Sequence, residues 1–401
     1  MKTRKLYDCD LSPNSFFVKE VADAPYATSK DKIGIFSFFS GAGFLDLGFE
    51  TENQYEIQFV NEFHLPFLQV YRYSRKNLGM NEPVYGYCVQ DVNWLLTNEK
   101  FPRLKSLVED SKLRNRMVGF IGGPPCPDFS VGGKNRGQHG ENGKLSDTYV
   151  ELICRLKPDF FLFENVKGLY RTEKHRIFFE ELKNKLTENN YVLTEHLVNA
   201  LSYGVPQDRE RILLVGFLKH SYNLGCNPEL RISQFPWKSN ECVDLGTLKN
   251  MPWPHQSPFK ENQPLKQPMG IDVRFTVQHW FNKNKVSTHP NAEHFFKPRN
   301  GLKKFLVIAE GDDKKKSYKR LHRWRYSPTA AYGNNEVHLH PYLPRRISAA
   351  EALAIQSLPI NFLLPPTISL SDMFKTIGNG VPFLLANGIA KTIAQFINEK
   401  E

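Results

Sequence analysis

The chain has few cysteines, and they keep apart. Its six (Cys9, Cys88, Cys126, Cys154, Cys226 and Cys242) include no C-x-x-C pair. That spacing argues against a structural zinc site, or any metal centre built on cysteine, and against a disulfide framework; it suits a reducing compartment. Long apolar runs are also missing: nowhere do about 18 uninterrupted apolar residues occur, the length a membrane-spanning helix needs. The opening MKTRKLYDCDLSPNSFF holds no apolar stretch of signal-peptide length. These absences lead to the expectation of a soluble, cytoplasmic protein with no membrane partner. Acidic charge is short as well: 53 Lys and Arg face 42 Asp and Glu, a formal charge of +11 at pH 7 and a pI of about 9.2. A surplus of that size favours a polyanionic partner, most simply nucleic acid, although a generically basic enzyme would show it too.

What is present divides the 401 residues unevenly. Residues 1–32 are a mixed, polar N-terminal extension. From residue 33, short apolar runs recur: IGIFSFF (33–39), YEIQFVNEF (55–63), MVGFIGG (117–123), DFFLFENV (159–166) and RILLVGF (211–217). Each has the length and continuity of a strand buried on both faces. Helical patterns such as SDTYVELICRL (146–156) and HRIFFEELKNKLTENN (175–190) lie between them. Buried strands alternating with helices specify a doubly wound α/β domain over 33–217. The alternation stops near 218, and residues 218–344 are rich in Pro, Lys, Arg, His and aromatics. Within them, 297–325 carries eleven Lys and Arg against three acids. Helical patterns return in ISAAEALAIQSL and VPFLLANGIAKTIAQFI (381–397). The expectation is a smaller, basic domain at 218–344, with 345–401 returning to the first.

Functional residues of such folds gather at the carboxyl ends of the strands. SFFSGAGFLDLGFE (37–50) puts glycines at a strand-to-helix turn, where a ligand can approach the backbone. It is not the dinucleotide G-x-G-x-x-G, because position 46 is Asp. Glu62 closes the next strand, placed to bind ribose hydroxyls or simply to sit in solvent. Asp91 in YCVQDV is similar and weaker. In GGPPCPDFSVGG (122–133), Cys126 lies among three prolines, a stiff loop that is neither helix nor interior strand and that presents one thiol. Glu164 ends the strand FLFENV. In QDRERILLVGF, Gln207, Arg209 and Arg211 alternate, so an extended segment would point all three to one face. A thiolate attacking an electron-poor ring, with a carboxyl group stabilising the charge that creates, is the chemistry these residues suit.

Six blocks, in order, then carry a resemblance. FSGAGFLDLGFE, GGPPCPDFS, FENVKGL, QDRERILLVGF, RRISAAEALAIQSLP and IGNGVP (377–382) are similar to the blocks of the bacterial cytosine-C5 DNA methyltransferases, from about residue 33 to 397. The resemblance implies a Rossmann-like domain that binds S-adenosylmethionine, with a target-recognition domain at 218–344. It makes Cys126 the nucleophile that adds to C6 of a flipped-out cytosine, Glu164 the contact to N3 and the exocyclic amine, and Arg209 and Arg211 supports of the pocket. Phe39, Gly41, Gly43, Glu62, Phe63, Asp91 and Asn379 would line the cofactor pocket. Gln207, Lys314, Lys315, Lys316, Arg320, Arg323 and Thr329 would face the DNA. Two positions depart from the family: P-C-P stands where many members have P-C-Q, and Ala350 where an arginine is usual. The implied partners are double-stranded DNA and a cognate restriction endonuclease, the protein itself acting as a monomer. An RNA cytosine methyltransferase, a catalytically silent relative and a nucleotide-dependent oxidoreductase are the rival readings.

Overall fold

The computed structural model describes residues 30–125, 141–170, 172–221, 225, 227–298, 301–315, 317–330, 332 and 336–399. Residues 1–29 of the N-terminal extension, Cys126 with its following loop, and Lys316 lie outside the described residues.

The apolar runs become strands because both of their faces are covered. Along β1 (Ile33–Phe38), Ile33 and Ile35 enter one buried cluster, Phe36 and Phe38 another. The first cluster lies under α1 (Phe44–Glu50) and α2 (Leu65–Leu78), through Phe49, Leu68 and Tyr71. The second lies under α3 (Phe101–Arg114), α4 (Glu141–Leu156) and α5 (Glu173–Glu188), through Leu107, Ile153 and Leu182. The result is three layers, helix on sheet on helix.

The sheet adds β2 (Tyr55–Asn61), β3 (Tyr87–Cys88), β4 (Met117–Gly122), β5 (Phe160–Val166), β6 (Tyr191–Asn199) and β8 (Glu210–Leu218), which follows the two-residue β7 (Gln207–Asp208). Its seven strands run in the order β3-β2-β1-β4-β5-β8-β6. From β1 the chain goes outward to β2 on one side and returns to β4 on the other, so the order reverses between β1 and β4. A ligand crevice opens at the carboxyl ends of strands at such a reversal. β8 runs antiparallel to both β5 and β6. Only residues 200–209 join β6 to β8, too few for the crossover that a parallel connection requires.

Among its described residues the basic segment holds only short elements, including α6 (Pro228–Ser233), α7 (Leu245–Lys249), α8 (Val277–Lys283), α9 (Leu302–Phe305) and β9 (Ser327–Pro328). The compositional break at 218 is not a packing break. Ile232 and Phe235 sit in the sheet's core, with the Phe235 ring 5.0 Å from that of Phe396. Val277, Trp280 and Phe281 of α8 join α10 (Ala349–Ile355), α11 (Leu370–Asn379) and the α1 residues Phe44 and Leu47 in a third cluster. β9 also pairs in parallel with β7. The basic segment is thus fused to the α/β unit along much of its length. α12 (Phe383–Asn398) closes the fold; the stretch Leu370–Asn398 is long and apolar enough to cross a membrane, but 67% of its most apolar window is buried inside the protein.

Candidate active site

After β1 the chain makes a tight turn in which Phe39, Gly41 and Gly43 have φ of 54°, 58° and 79°. Glycine adopts that region without strain; Phe39 holds it with its ring edge-on to Tyr149 at 6.0 Å. The turn is fixed from β2. Glu62 accepts the Gly41 N–H at 2.8 Å through Oε2 and the His64 N–H at 2.7 Å through Oε1. Burial raises the Glu62 carboxyl above its ordinary range, and those two backbone bonds pull against it. Phe63, beside it, is 69% exposed, a large apolar face left in solvent at the mouth of the crevice. Asp91 follows β3 and caps a short 3-10 turn, accepting from the Asn93 N–H at 2.8 Å. Asn61 ties that segment to β2 by donating to Cys88 O and Gln90 O. Asn379 is exposed at the end of α11, next to Gly380, where a Cβ would fall 2.2 Å from the Phe44 ring. His64 reaches α11 as well, at 3.1 Å from Asp372. The ends of β1 and β2 and the end of α11 thus meet at one turn, with Asp91 one strand further out.

Across the reversal, β4 leads into Gly122, Gly123, Pro124 and Pro125. Glu164 is diagonal to Arg211 on the paired strands β5 and β8, and Arg211 Nε lies 2.8 Å from Glu164 Oε1. Both side chains are nearly buried. The other oxygen, Oε2, lies over Gly123, where a Cβ would be only 2.6 Å from it. Asn165 Nδ2 donates to Pro124 O at 3.4 Å, so the residue after Glu164 holds the start of the cysteine loop. Cys88 and Cys154, by contrast, are buried, their thiols pushed up to about 12 and about 11 by burial, which leaves them inert at neutral pH.

The structure corrects three expectations, that Gln207, Arg320 and Arg323 face the DNA. The strand breaks at Arg209, between β7 and β8, yet Gln207 and Arg209 both reach Ala330. Arg209 is fully buried and donates to Ala330 O, Gly378 O and Gly380 O at 3.0–3.1 Å, a strut between the segments that meet there. Gln207 is buried too, donating to Gln356 Oε1 and accepting from the Ala330 N–H, so it does not face DNA. Arg320 is buried and donates to the carbonyls of Phe305, Ile308, His340 and Leu343. Arg323 forks onto buried Glu310 with bonds of 2.9 and 2.8 Å and reaches Gln263 O. Both arginines brace the basic segment from within. Lys314 and Lys315 are exposed. Thr329, partly exposed, donates to Asp208 O at 2.6 Å, next to the Arg209 break. At α10, Arg345 grips Glu351 with two bonds of 2.7–2.8 Å beside the helix that carries Ala350. Among the described residues no group of three or more His, Cys, Asp or Glu is placed to hold a metal ion.

Two residues of the site region carried too little signal in the sequence to be singled out. Asn165 stands inside the FENVKGL block with nothing to mark its bond to Pro124, and the buried acid Asp46 shows only as a departure from a glycine pattern.

Comparison with known proteins fits this geometry. M.NmeDI, a type II methyltransferase of Neisseria meningitidis serogroup C, is 57% identical over 375 residues, covering 94% of this chain and 86% of that protein. M.FnuDI, a type II methyltransferase of Fusobacterium nucleatum, is 29% identical over 388 residues, covering 92% and 96%. Among solved structures, a prophage-encoded E. coli protein described as a DNA modification methyltransferase aligns with a TM-score of 0.62 at 22% identity, over 92% of this chain and 100% of that one. The Dnmt2 methyltransferase of S. pombe aligns with a TM-score of 0.57 at 12% identity, again over 92% and 100%. At these identities the structural likeness is one of fold. Residues 33–395 match the model of the C-5 cytosine-specific DNA methylases, a span that takes in the glycine turn, the Glu164–Arg211 pair and the closing helices. The chain therefore belongs to that family, as a bacterial type II DNA cytosine-5 methyltransferase.

Proposed function

We propose that this enzyme flips one cytosine out of a short duplex sequence and methylates C5 through a covalent adduct with Cys126. The observation that supports it most is the Glu164–Arg211 pair, set beside Gly123 where the cysteine loop leaves β4. Flipping is required because the ring atoms cannot be reached within the base stack. The Cys126 thiolate adds to C6, which drives electron density toward C5. Glu164 shares a proton with N3 and accepts from the exocyclic amine, so the negative charge created by the addition is neutralised at N3. Arg211 keeps the carboxylate in that orientation by occupying Oε1. Once C5 has taken the methyl group, loss of its proton to a base breaks the C6–S bond and returns the thiolate.

The glycine turn fits a nucleoside-bearing cofactor. Nothing lies within 4 Å of where a Gly41 Cβ would stand, and an acid and an exposed aromatic flank the opening. Glu62 would take ribose hydroxyls, Phe63 a face of the adenine and Asp91 its amine, with Phe39, Gly43 and Asn379 completing the wall. When bound, S-adenosylmethionine supplies the methyl group. Lys314, Lys315 and Lys316 would contact phosphates, and Thr329 would lie near the flipped nucleotide. The enzyme would act as a cytoplasmic monomer that protects host DNA against a cognate restriction endonuclease.

Expression in a host lacking cytosine methylation, followed by sequencing for 5-methylcytosine, tests this reading. One short motif methylated throughout is expected. An unmethylated genome, with the protein folded and binding S-adenosylmethionine, would overturn it in favour of RNA or a silent relative.

A further inference from the structure

We propose that Ser37, Asp46 and Tyr71 form a buried bracket that sets the glycine turn in its cofactor-binding shape, which makes Asp46 and Tyr71 positioning residues. The inference rests on the cofactor assignment above and adds residues that do not touch the cofactor in that scheme.

Gly43 begins α1 without a side-chain cap. Behind it stands the ring of Tyr71: a Cβ on Gly43 would fall 2.5 Å from two of the ring carbons. The backbone of the turn is therefore seated directly on an aromatic face, and the position of that face sets the position of the turn. Tyr71 is itself held. Its hydroxyl donates to Asp46 Oδ2 at 2.8 Å, while Asp46 Oδ1 accepts from Ser37 Oγ at 2.8 Å. All three side chains are buried, and they come from α2, α1 and β1, the elements that meet at the turn. The charged and titratable groups around Asp46 are Tyr71 and Arg75 from α2 and Glu50 from α1, with Tyr87 of β3 edge-on to Tyr71 at 5.7 Å. Arg75 pairs with Glu50 and places Nη1 3.4 Å from the Tyr71 hydroxyl.

A carboxylate suits the centre of this bracket because it accepts from two hydroxyls at once. An amide accepts through one atom only, so in Asp46→Asn one hydroxyl must turn round or lose its partner. The charge has a cost to folding. Burial pushes Asp46 from 3.8 up to about 6, against the bonds from Tyr71 and Ser37. The stability that the protonated acid contributes is therefore full below about pH 4 and is lost as pH rises through about 6. At neutral pH the bracket holds its shape at the expense of stability.

Calorimetric titration with S-adenosylmethionine, alongside thermal melts from pH 5 to 8, separates positioning from mere structure. Tyr71→Phe keeps the ring under Gly43 and removes the bond to the carboxylate; its Kd for the cofactor should rise about tenfold, with affinity for duplex DNA unchanged. Asp46→Asn should bind the cofactor more weakly yet melt higher at pH 7.5, opposite signs that a purely structural role would not produce. Wild-type affinity should fall as pH drops through about 6. Glu62 titrates in either protein, so the bracket is read from the part of that fall which Asp46→Asn lacks. Unchanged cofactor binding in both variants, beside a wild type that binds, would overturn the bracket alone. Variants that weaken only in proportion to lost stability would do the same. A wild type that binds no S-adenosylmethionine would overturn the cofactor assignment and the bracket with it.

Discussion

The rim of the parallel sheet and the basic segment treat their charged residues in opposite ways. At the rim, Glu62 follows β2, Glu164 lies near the end of β5 and Arg211 near the start of the antiparallel β8. All three sit at the sheet edge where the topology puts ligands, so chain position translates into a place in the site. In the basic segment, abundance of positive charge says nothing about direction. Arg320 and Arg323, drawn from its densest run, point inward and hold carbonyls and a buried glutamate. Arginine carries five donors on a rigid fork, which makes it as good a brace for irregular chain as a contact for phosphate. Where helices and strands are short, backbone carbonyls need partners from side chains, and these arginines supply them.

The sharpest test of the rim is Cys126→Ala, which should lower methyl transfer by at least about 10⁴-fold while a gel shift still shows DNA binding. Turnover near wild type would remove Cys126 as nucleophile. Next comes the contrast between two arginines separated by a single residue. Arg211→Met should cut kcat by about 10²-fold or more, because Glu164 loses the group that orients it. Arg209→Met should act on stability instead. It strips the buried carbonyls of Ala330 and Gly378 of the donor it supplies, at about 1 kcal/mol or more each, so Tm should fall while the folded fraction keeps its activity. If the two variants show the same profile, the division between catalytic support and strut is wrong.

Within the basic segment, Arg323→Ala leaves Glu310 buried without its partner and should cost about 3–5 kcal/mol in a denaturation curve. The salt dependence of DNA binding should not change, since Arg323 does not reach solvent. Replacing Lys314 and Lys315 together with Ala should do the reverse, leaving Tm alone and lowering the slope of log K against log salt by about 0.9 for each phosphate no longer neutralised. A flat comparison between the two experiments would erase the distinction between charge that braces and charge that meets DNA.

The five long apolar runs were legible as strands because burial on both faces leaves a continuous signal. Two strands of the seven-stranded sheet were not, and neither was the short β7–β9 pair. β3 is two residues long, and β6, at the sheet's edge, interrupts its apolar ends with Thr194, Glu195 and His196. The reversed direction of β8 was hidden because strand direction depends on the connection rather than on composition. At the site, the glycine turn and Glu164 could be placed by motif and strand end together. The alternation of Gln207, Arg209 and Arg211 could not show that the first two meet one buried segment at Ala330, because that partner lies more than a hundred residues along the chain. Asp46 was unreadable for a different reason: an acid set among apolar helix residues announces neither its burial nor its two hydroxyl partners.

The crossing of α1 with α12 sets a clock on the enzyme's appearance. A Cβ on Gly48 would lie 2.4 Å from that of Ala386, so the two backbones touch, and Asn387 donates to Gly48 O at 3.1 Å. Tyr55, on the next strand, donates its hydroxyl to Ala390 O, 335 residues further along the chain. At about 5–20 residues per second, a ribosome takes on the order of 20–70 s to cover the 335 residues between them. Throughout that interval the helix that follows the glycine turn lacks its cover. Modification can start only after the last helix has left the ribosome, and a chaperone that shields α1 during those seconds would raise the yield of enzyme without touching its rate.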